Sequence, residues 1–493
     1  MKRHIAVDIG SESGRVIAGW LEDGRLVTDV LYRFKTQFVQ MRRRSVRNFY
    51  RYHEEILKGL RLYAEKYGPE LASIGVDAWG ADFVLLDRAG DIMKLPQSYR
   101  TFTGVEDVLD IIERKFGLRA LYDINGNQRQ PSDTLNQLLR LIRDGHPSLD
   151  DPRGILFVSD MFHYLLGAEP CCEHSLASYS GFWNQRENRW DADIMRAFGI
   201  PDSLCSKVVY AGDTVGYVDE KILRDAGIEG PVAIITPCAH DTSTAALAIA
   251  DLGSDWAFVS SGTWSLMGFE TDAPVINDIS FRYNFSNSTM PLRTNMFKKN
   301  ITGTWLVQQC CEAWRMNDYN AIVDLTEASP DNDWIIDVNA AEFYAPDSMP
   351  RAIAASVKRD FGADVDPDDK GTICRIAFQS MAVKYRYYLE RLLKAADKRI
   401  SKLYIISGGS RNRVINQFAA NACRIPVSTG VYEASSVGNL LLQAYGCSEL
   451  RDKPAMRQVV IDTFPQTVFE PRDAELWEKK YRAYESVAQP NAW

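Results

Sequence analysis

The sequence has no long hydrophobic run. None of its 493 residues lies in an uninterrupted apolar stretch that approaches the roughly 18 residues a membrane-spanning helix needs. The start, MKRHIAVDIGSESG, also lacks the apolar stretch of a secretory signal before its first acidic residue. We therefore expect no membrane partner, no secretion and a cytoplasmic location.

An excess of basic residues is absent as well. Lysine and arginine total 57 against 65 aspartate and glutamate residues, which gives a net charge of −8. Such a chain has no positive field to attract the phosphates of nucleic acid or the headgroups of anionic lipid. We expect no nucleic-acid partner, and a monomer or a homodimer that binds small molecules.

Cysteine spacing gives no sign of a disulfide framework or of a zinc motif. The nine cysteines are odd in number, include two adjacent pairs and contain no CxxC, so neither is indicated and we expect reduced thiols. Low-complexity tracts and long repeats are also missing, which excludes solenoids and propellers. What is present is an ordinary globular composition, 46% apolar and 25% charged, with a length that predicts two or three domains.

Three β-rich runs, at residues 4–8, 256–259 and 403–406, each lead into a turn of small residues. The first two runs lie about 250 residues apart. This spacing favours a protein of two lobes, each opening with a strand and a turn, and a boundary near residues 245–255.

The periodicity between these runs is helical. Apolar residues between 135 and 142 recur at i, i+3, i+4 and i+7, after Ser132 as the expected N-cap and before Gly145 as the expected stop. Leucines at residues 389–393 repeat that spacing on what should be a long helix. Strands that alternate with helices predict an α/β fold.

The three turns have the composition of phosphate-binding sites. After Asp8, the segment from Gly10 to Gly14 can point backbone N–H groups at an anion, and the carboxylate can orient a hydrated Mg²⁺ ion. Residues 260–265 place hydroxyl groups around one glycine, and residues 407–412 lead into a helix N-terminus. Each turn alone suits an ordinary structural turn equally well. Three such turns in one chain favour a nucleotide triphosphate.

The polar segment at residues 238–244 follows an apolar strand at residues 232–235 and leads into small residues, which predicts the start of a helix. An acid at Asp241 could accept a proton from a substrate hydroxyl. The alternative is that Asp241 or Thr242 only caps the helix. We expect His240 to orient a group or to pack rather than to act as a base.

Residues 75–87 have the pattern of two strands that meet at a tight turn. Asp77 and Asp82 flank Trp79, which suits sugar recognition because an aromatic face covers C–H patches while carboxylates accept hydrogen bonds from hydroxyl groups. The same pattern also suits a hairpin with solvated acids.

Together these motifs resemble the FGGY carbohydrate kinases from about Ala6 to Tyr445, and most closely the branch that phosphorylates L-rhamnulose. The motifs that carry the resemblance are AVDIGSESGRV (6–16), GVDAWGADFVLLD (75–87), AHDTSTA (239–245), SSGTWSLMGFE (260–270), KNITGTWLVQ (299–308), GGSRNRVINQFAANAC (408–423) and EASSVGN (433–439). Their order and their spacing both fit the family.

The resemblance implies the actin and hexokinase type of fold, in which two ribonuclease H-like lobes surround a cleft. It implies an N-terminal domain over residues 1–248, with the sugar side, the first phosphate loop and the catalytic acid, and a mainly nucleotide-binding C-terminal domain over residues 249–493. The implied activity is the phosphorylation of a ketose at its 1-hydroxyl, with ATP and Mg²⁺. L-Rhamnulose is the first expectation, and L-fuculose or another deoxyketose is the alternative.

The resemblance also implies roles for single residues. Asp241 is the implied general base, and Asp8 is the implied acid near Mg²⁺. The implied nucleotide contacts are Ser11, Glu12, Ser13, Gly14, Arg15, Thr263, Gln308, Gly408 and Asn412. The implied sugar contacts are Gly80, His240, Asp241, Thr242 and Asn300. We expect Trp79 and Phe83 to add an apolar wall for the methyl group of a deoxyketose, and Asp82 to add a polar contact.

Two stretches depart from the family pattern. After residues 98–100 the family commonly continues with an acid, a small residue and a second arginine, whereas this chain has Thr-Phe-Thr at residues 101–103. After residues 283–285, the usual Asn-Glu-Gly-Gly is replaced by Ser-Asn-Ser-Thr at residues 286–289. We expect both stretches in loops of the cleft, where they bear on the identity of the sugar more than on the reaction.

Two other classes of function stay open from the residues alone. A glycoside hydrolase could use acids such as Asp77, Asp82 and Glu173, but paired-carboxylate chemistry gives no reason for three phosphate-type turns. An actin-like nucleotide switch or a sugar sensor without transferase activity would need no acid at the position of Asp241.

Overall fold

The structure is a computed structural model that describes residues 1–10, 13–41, 44–93 and 106–488. In chain order its strands are β1 His4–Ile9, β2 Ser13–Glu22, β3 Arg25–Lys35, β4 Phe38–Met41, β5 Arg44–Arg47, β6 Ser73–Ala78, β7 Phe83–Leu86, β8 Gly154–Phe157, β9 Cys171–Glu173, β10 Trp183–Asn184, β11 Arg189–Trp190, β12 Lys207–Val209, β13 Thr214–Tyr217, β14 Ala233–Ile235, β15 Trp256–Ser261, β16 Trp264–Thr271, β17 Ser286–Thr289, β18 Asn295–Thr302, β19 Lys402–Ile406, β20 Val427–Thr429 and β21 Thr467–Phe469. The α-helices are α1 Phe49–Tyr67, α2 Glu106–Lys115, α3 Leu118–Asn125, α4 Thr134–Arg143, α5 Val158–Leu166, α6 His174–Ala177, α7 Ala192–Phe198, α8 Glu220–Ala226, α9 Asp241–Ala245, α10 Asp278–Arg282, α11 Trp305–Ala313, α12 Tyr319–Ala328, α13 Met349–Phe361, α14 Lys370–Ala396, α15 Arg413–Cys423, α16 Ala434–Gly446, α17 Lys453–Thr463 and α18 Ala474–Val487.

Two large sheets contain most of these strands. The first has the order β13-β14-β6-β1-β2-β3, and the second has the order β17-β18-β16-β15-β19-β20-β21. In the first sheet β1 pairs antiparallel with β2 and parallel with β6, and in the second β15 pairs antiparallel with β16 and parallel with β19. The two halves of the chain therefore repeat one topology, as the paired strand-and-turn runs predict.

The segment at residues 75–87 contains the two predicted strands, but they do not pair with each other. Strand β6 is buried along its whole length and lies between β1 and β14, to both of which it runs parallel. The following strand β7 turns away after Ala81, whose φ is 75°, and pairs with β8 instead. The interpretation as a hairpin with solvated acids is therefore wrong. Strand β6 is buried and has β1 and β14 on its two edges, so neither edge is open to β7.

The helical predictions are confirmed with one shift at a boundary. Helix α4 ends at Arg143, before Gly145, but Asp133 rather than Ser132 is its N-cap. The leucine spacing near residue 390 belongs to α14, which is 27 residues long and buried along most of its length. No helix in the described part of the chain is both long enough and apolar enough to span a bilayer.

The stretch at residues 286–289 is not a cleft loop but the buried strand β17. The amide nitrogen of Asn287 donates to the carbonyl oxygens of Gly126 and Val275, and its amide oxygen accepts from Asn295. This departure from the family pattern therefore serves packing between neighbouring segments. The other departure, at residues 101–103, lies outside the described residues.

Helix α16 connects the two halves of the molecule. It is buried on almost every side, and Leu440 shares a core cluster with Ala6 of the first sheet and Trp256 of the second. At Gly438 the helix meets the backbone of α9, and a Cβ atom there would overlap the carbonyl group of Thr244. Only glycine permits this close approach of the two helices.

We predict that Gly438→Ala lowers the free energy of unfolding, by about 1–3 kcal/mol as for other overpacked sites. A lower free energy of unfolding would be informative, because alanine in a helix interior is otherwise favoured over glycine by about 1 kcal/mol. Urea unfolding of both proteins measures the effect, with the exposed helical change Ser486→Ala as the control. A variant as stable as the wild type would contradict the close packing of α16 on α9.

Candidate active site

A cavity of about 410 Å³ is lined by residues from both halves of the chain. The predicted site residues that line it are Asp8, Ser13, Arg15, Gly80, His240, Asp241, Thr242, Thr263, Asn300, Gln308 and Gly408. Ser11 and Glu12 lie outside the described residues. The folded chain thus brings together groups that are up to 400 positions apart.

Two predicted nucleotide contacts do not line the cavity. Gly14 lies on β2 opposite Phe34, and a Cβ atom at this position would overlap the Phe34 ring. Asn412 is buried as the N-cap of α15, where its side-chain oxygen accepts hydrogen bonds from the backbone N–H groups of Val414 and Ile415 at 3.0 and 3.2 Å. Both residues have local structural roles that account for their identity.

Two adjacent buried carboxyl groups lie at the ends of β1 and β6, and one of them, Asp8, lines the cavity. Asp8 of β1 and Asp77 of β6 are neighbours in the parallel ladder, and both are almost completely buried. Burial raises the pKa of Asp8 above its usual value, and it raises the pKa of Asp77 further, with the charge of Asp8 adding to the effect. Ionisation of both groups is therefore disfavoured in the folded chain.

One arginine offsets this concentration of negative charge. Arg15 has a guanidinium nitrogen 3.5 Å from a carboxylate oxygen of Asp8, and it also forms an ion pair with Glu433. The charge of Asp8 raises the pKa of Arg15 above its ordinary value. The guanidinium group is therefore charged and held at the wall of the cavity, where it can meet an anionic ligand.

Asp77 is held from behind by α16. The amide nitrogen of Asn439 donates to Asp77 at 2.7 Å and to the carbonyl oxygen of Gly75 at 3.1 Å. The other carboxyl oxygen of Asp77 is buried without a hydrogen-bond partner among the described residues. Asp77 is thus a structural acid at the floor of the site rather than a solvated one.

Asp241 is the acid that faces the cavity. It is the first residue of α9, its side chain is 28% exposed, and it accepts a hydrogen bond from the Thr242 hydroxyl at 3.1 Å. Burial, with the charge of Asp8 added, raises the pKa of Asp241 to about 7. His240, not Asp241 or Thr242, occupies the N-cap position and makes no side-chain cap, so the capping explanation for Asp241 fails.

A second buried acid fixes the backbone in front of Asp241. Glu173 accepts a hydrogen bond from the N–H group of Ala239 at 2.8 Å, and Ser175 accepts one from the N–H group of His240 at 3.1 Å. Glu173 itself is buried away from the cavity lining. Paired acids for glycoside hydrolysis are not presented here, because Asp77, Asp82 and Glu173 do not line the cavity.

An aromatic and a basic group that the sequence patterns did not indicate lie near His240. The Tyr179 ring stacks near His240 at a centroid distance of 5.9 Å, and its hydroxyl accepts a hydrogen bond from Asn300 at 3.3 Å. Behind it lies the buried Lys298 amine, 4.4 Å from the centre of the Tyr179 ring. Burial lowers the pKa of Lys298 to about 7, although Asp241 and Asp133 oppose this shift.

His240 is neutral in this environment. Burial lowers its pKa well below the ordinary value, and the nearby charge of Lys298 acts in the same direction. Its Nε2 atom lies 3.8 Å from a carboxylate oxygen of Asp241. A neutral imidazole can exchange hydrogen bonds with a hydroxyl ligand without adding charge.

Two expectations about the sugar wall differ from the structure. Trp79 lines the cavity, but Asp82 and Phe83 do not. The Asp82 carboxylate instead accepts a hydrogen bond from the Trp79 indole at 2.8 Å, and Phe83 is buried in a separate core cluster. Asp82 therefore orients the tryptophan and leaves the ring as the apolar surface.

The turn between β15 and β16 lines the cavity from the second half of the chain. In this turn the Gly262 N–H group donates to the Trp264 carbonyl oxygen at 2.9 Å. The Gly262 carbonyl oxygen accepts hydrogen bonds from both the N–H group and the hydroxyl of Thr304. Nearby, the side-chain oxygen of Gln308 is buried at the cavity without a hydrogen-bond partner among the described residues. This orphaned acceptor fits a ligand that carries a hydrogen-bond donor.

Further lining residues had no predicted role in the site. They are Gln130, Ser132, Trp264, Leu266, Tyr432 and Ser435. Trp264, Leu266 and Ser435 lie within the quoted motifs at residues 260–270 and 433–439, whereas the other three lie in none of the quoted motifs.

Comparison with protein families gives two matches along the chain. Residues 4–248 match the model of the N-terminal domain of the FGGY family of carbohydrate kinases, and residues 257–447 match the model of its C-terminal domain.

Curated relatives cover nearly the full length. A protein named rhamnulokinase from Bacteroides thetaiotaomicron is 33% identical over 479 residues, which is 97% of this chain and 97% of the relative. A second protein of that name, from Enterococcus faecalis, is 30% identical over 489 residues and matches 98% of this chain and 97% of its own length.

Solved structures of sugar kinases share the fold. A ligand-bound xylulose kinase from Lactobacillus acidophilus aligns with a TM-score of 0.80 at 12% identity, covering 99% of this chain and 97% of the other. Plasmodium falciparum glycerol kinase with ADP aligns with a TM-score of 0.79 at 13% identity, with the same coverage of both chains. The expected actin and hexokinase type of fold is thereby confirmed.

We predict that Asn439→Ala lowers the free energy of unfolding by about 1–3 kcal/mol, the usual cost of leaving a buried polar group unsatisfied. The loss should be larger at pH 8 than at pH 5.5. Asp77 already has a folded-state pKa above its unfolded value, so its ionisation destabilises the folded protein as pH rises, and losing the Asn439 hydrogen bond raises that pKa further.

Urea unfolding at the two pH values measures this difference. The double variant Asp77→Asn with Asn439→Ala is the control, since it has no carboxyl group at residue 77 to ionise. Equal losses at both pH values for the single variant would show that Asn439 does not support this carboxyl group.

Proposed function

The chain belongs to the FGGY family of carbohydrate kinases, and we propose that it transfers the γ-phosphoryl group of ATP to the 1-hydroxyl of L-rhamnulose. The observation that carries the proposal is Asp241, an acid with a raised pKa that faces a cavity between hydroxyl-binding and anion-binding groups. The names of the curated relatives support the choice of sugar.

In the proposed reaction Asp241 accepts the proton of the sugar 1-hydroxyl. The hydroxyl oxygen forms a bond to the γ-phosphorus while the bond from that phosphorus to the bridging oxygen of ADP breaks. Because phosphoryl transfer needs little covalent chemistry from the protein, most of the rate comes from positioning and from neutralised charge. Closure of the two lobes would exclude water and limit the hydrolysis of ATP.

The sugar site is proposed at the end of the cavity that belongs to the first half of the chain, residues 1–248. Neutral His240 and the Asn300 amide would exchange hydrogen bonds with sugar hydroxyls, and Trp79 would face the methyl group. Gly80 would leave room for the sugar because a Cβ atom there would lie 3.3 Å from the His240 ring. Thr242 would hold the Asp241 carboxylate in position.

The nucleotide is proposed to bind mainly to the second half, residues 249–493. Thr263 and Gly408 would approach the phosphates with their backbones, and the orphaned oxygen of Gln308 would accept a donor from the nucleotide. From the first half, Ser13 and Arg15 would bind phosphate oxygens. Ser11 and Glu12 stay in this set because of the family resemblance. We propose that Gly14 and Asn412 support the turns instead of contacting the nucleotide.

The carboxylate of Asp8 fits a magnesium site. Its oxygen atoms are the hard donors that Mg²⁺ prefers, and Mg²⁺ typically binds through one or two carboxylates together with substrate phosphates. When bound, the ion would neutralise charge on the phosphates and lower the cost of the negative charge that Asp8 carries beside Asp241.

The sugar assignment predicts a ranking of substrates. A methyl contact in a pocket is worth about 1–3 kcal/mol, so 6-deoxy-L-ketohexoses should exceed unsubstituted ketoses in kcat/KM by roughly tenfold to a hundredfold. The measurement compares L-rhamnulose, L-fuculose, D-xylulose, L-ribulose and glycerol in an ADP-release assay. A tenfold lead of glycerol or D-xylulose, about 1.4 kcal/mol, would overturn the choice of sugar and leave the kinase activity intact.

The general-base role predicts that Asp241→Asn lowers kcat by roughly 10²-fold to 10⁴-fold, the range for general-base catalysis. ATP should still bind to the variant. For the wild type, kcat/KM should fall as pH drops below about 7, because protonation removes the base. The variant should be at least as stable as the wild type at pH 8, because an amide avoids the cost of ionising a buried acid with a raised pKa.

Steady-state kinetics measures the change in kcat and the pH dependence of kcat/KM, nucleotide titration measures ATP binding, and thermal unfolding measures stability. The exposed acid Asp272 provides the matched control, since Asp272→Asn makes the same chemical change outside the cavity. Retention of more than about a tenth of the wild-type kcat in Asp241→Asn would assign the proton transfer to another group.

A further inference from the structure

His4, Cys447 and Glu449 form a cluster outside the cavity. Each side chain offers one ligand atom, and the three atoms lie within 4.8 Å of one another. His4 is the first residue of β1, and Cys447 directly follows the last residue of α16. We call these three residues the His4 cluster.

Local backbone geometry brings the cysteine and the glutamate to the same side. Cys447 ends α16 with its N–H group bonded to the Gln443 carbonyl oxygen at 2.9 Å. Ser448 then has a φ of 62°, which reverses the chain and returns Glu449 toward His4. Its carboxylate lies 2.7 Å from His4 Nε2, across 445 positions of sequence.

A hydrogen-bond network determines which nitrogen of His4 donates its hydrogen to a neighbouring oxygen. The amide nitrogen of Gln443 must donate to the Ile5 carbonyl oxygen, 2.9 Å away. The amide oxygen of Gln443 therefore faces Ser73, and the Ser73 hydroxyl donates to it at 2.6 Å. Since that hydroxyl hydrogen is used, the Ser73 oxygen accepts from His4 Nδ1 at 2.8 Å.

The same network leaves Nε2 of His4 as the ligand atom. A histidine that binds a metal through one nitrogen commonly donates its other N–H to an oxygen, which fixes the ring and its tautomer. His4 has this arrangement before any metal is considered. Imidazole, thiolate and carboxylate together are the donor set that suits Zn²⁺, whereas Mg²⁺ prefers oxygen ligands only.

We propose that His4, Cys447 and Glu449 bind a Zn²⁺ ion, with water as the fourth ligand. Cys447 and Glu449 are partly exposed, so the ion and its water can enter from solvent. Binding displaces the thiol proton of Cys447, and any proton on His4 Nε2, to solvent. The nearby ammonium group of Lys2 bonds the Cys447 carbonyl oxygen and leaves the sulfur for the ion.

The ion would fasten the end of α16 to the beginning of β1. From Gln443 the network continues through Asn439, which accepts from the Gln443 amide nitrogen at 2.7 Å and donates to Asp77 at 2.7 Å. The proposed zinc site is thereby joined by hydrogen bonds to the buried acids below the cavity. Because only the folded chain assembles these ligands, Zn²⁺ should stabilise it.

The experiment uses the full-length protein without an affinity tag, stripped of metal by a chelator and kept in excess Mg²⁺ to occupy oxygen-only sites. Zn²⁺ is titrated in competition with a chromophoric chelator, and Co²⁺ is added in parallel to detect thiolate charge-transfer absorption. We expect one Zn²⁺ per chain, a thiolate band with Co²⁺, and a rise in Tm with Zn²⁺.

Variants distinguish this site from other thiols in the chain. Cys447→Ser should abolish the Co²⁺ thiolate band and the Tm shift, and Glu449→Gln should weaken Zn²⁺ binding. Ser73→Ala, which removes only the partner of His4 Nδ1, should weaken it by roughly 10- to 100-fold. Cys423→Ser changes another partly buried cysteine and should leave binding unchanged.

Three results would overturn the proposal. They are the absence of stoichiometric Zn²⁺ binding to the wild type, equal binding by Cys447→Ser and the wild type, and loss of binding in Cys423→Ser. In the first case the His4 cluster would be an ion pair between His4 and Glu449 only. The kinase assay is independent of all three results, since none of the cluster residues lines the cavity.

Discussion

The burial of negative charge at the ends of β1 and β6 is the constraint on which the rest of the structure depends. Asp8 and Asp77 lie side by side in a parallel ladder, where desolvation disfavours ionisation of both. The fold offsets this cost with Arg15 on the cavity side and with Asn439 on the opposite side. The charge that remains on Asp8 is one cause of the raised pKa of Asp241.

Helix α16 supplies the support from behind. Asn439, Gln443 and Cys447 follow one another at intervals of four residues, so they lie on one face of the helix. This face contacts the first sheet through directed hydrogen bonds, whereas Gly438 lets the helix approach α9. A single element of the second half thus supports Asp77 beside a cavity whose proposed base, Asp241, belongs to the first half.

Sequence patterns predicted the elements that local physics determines. Strands β1 and β15 and helix α14 follow directly from apolar runs and from leucine spacing, and the glycine turns do border the cavity. The alternative of a hairpin with solvated acids at residues 75–87 failed because strand pairing depends on distant partners, which no local pattern contains. Tyr179 and Lys298 were missed for the same reason, since tertiary packing alone brings Tyr179 to the cavity and Lys298 to the Tyr179 ring.

Three acids illustrate where sequence reasoning stops. Asp8, Asp77 and Asp241 each lie at or beyond the end of an apolar run, so the local sequence alone does not separate their environments. In the folded chain Asp77 has no exposure and contacts a helix, Asp8 contacts an arginine, and the Asp241 side chain is 28% exposed to the cavity. A group can take a proton from a substrate only if the substrate can reach it. Exposure therefore separates the proposed base from the structural acid, although both have raised pKa values for the same physical reason.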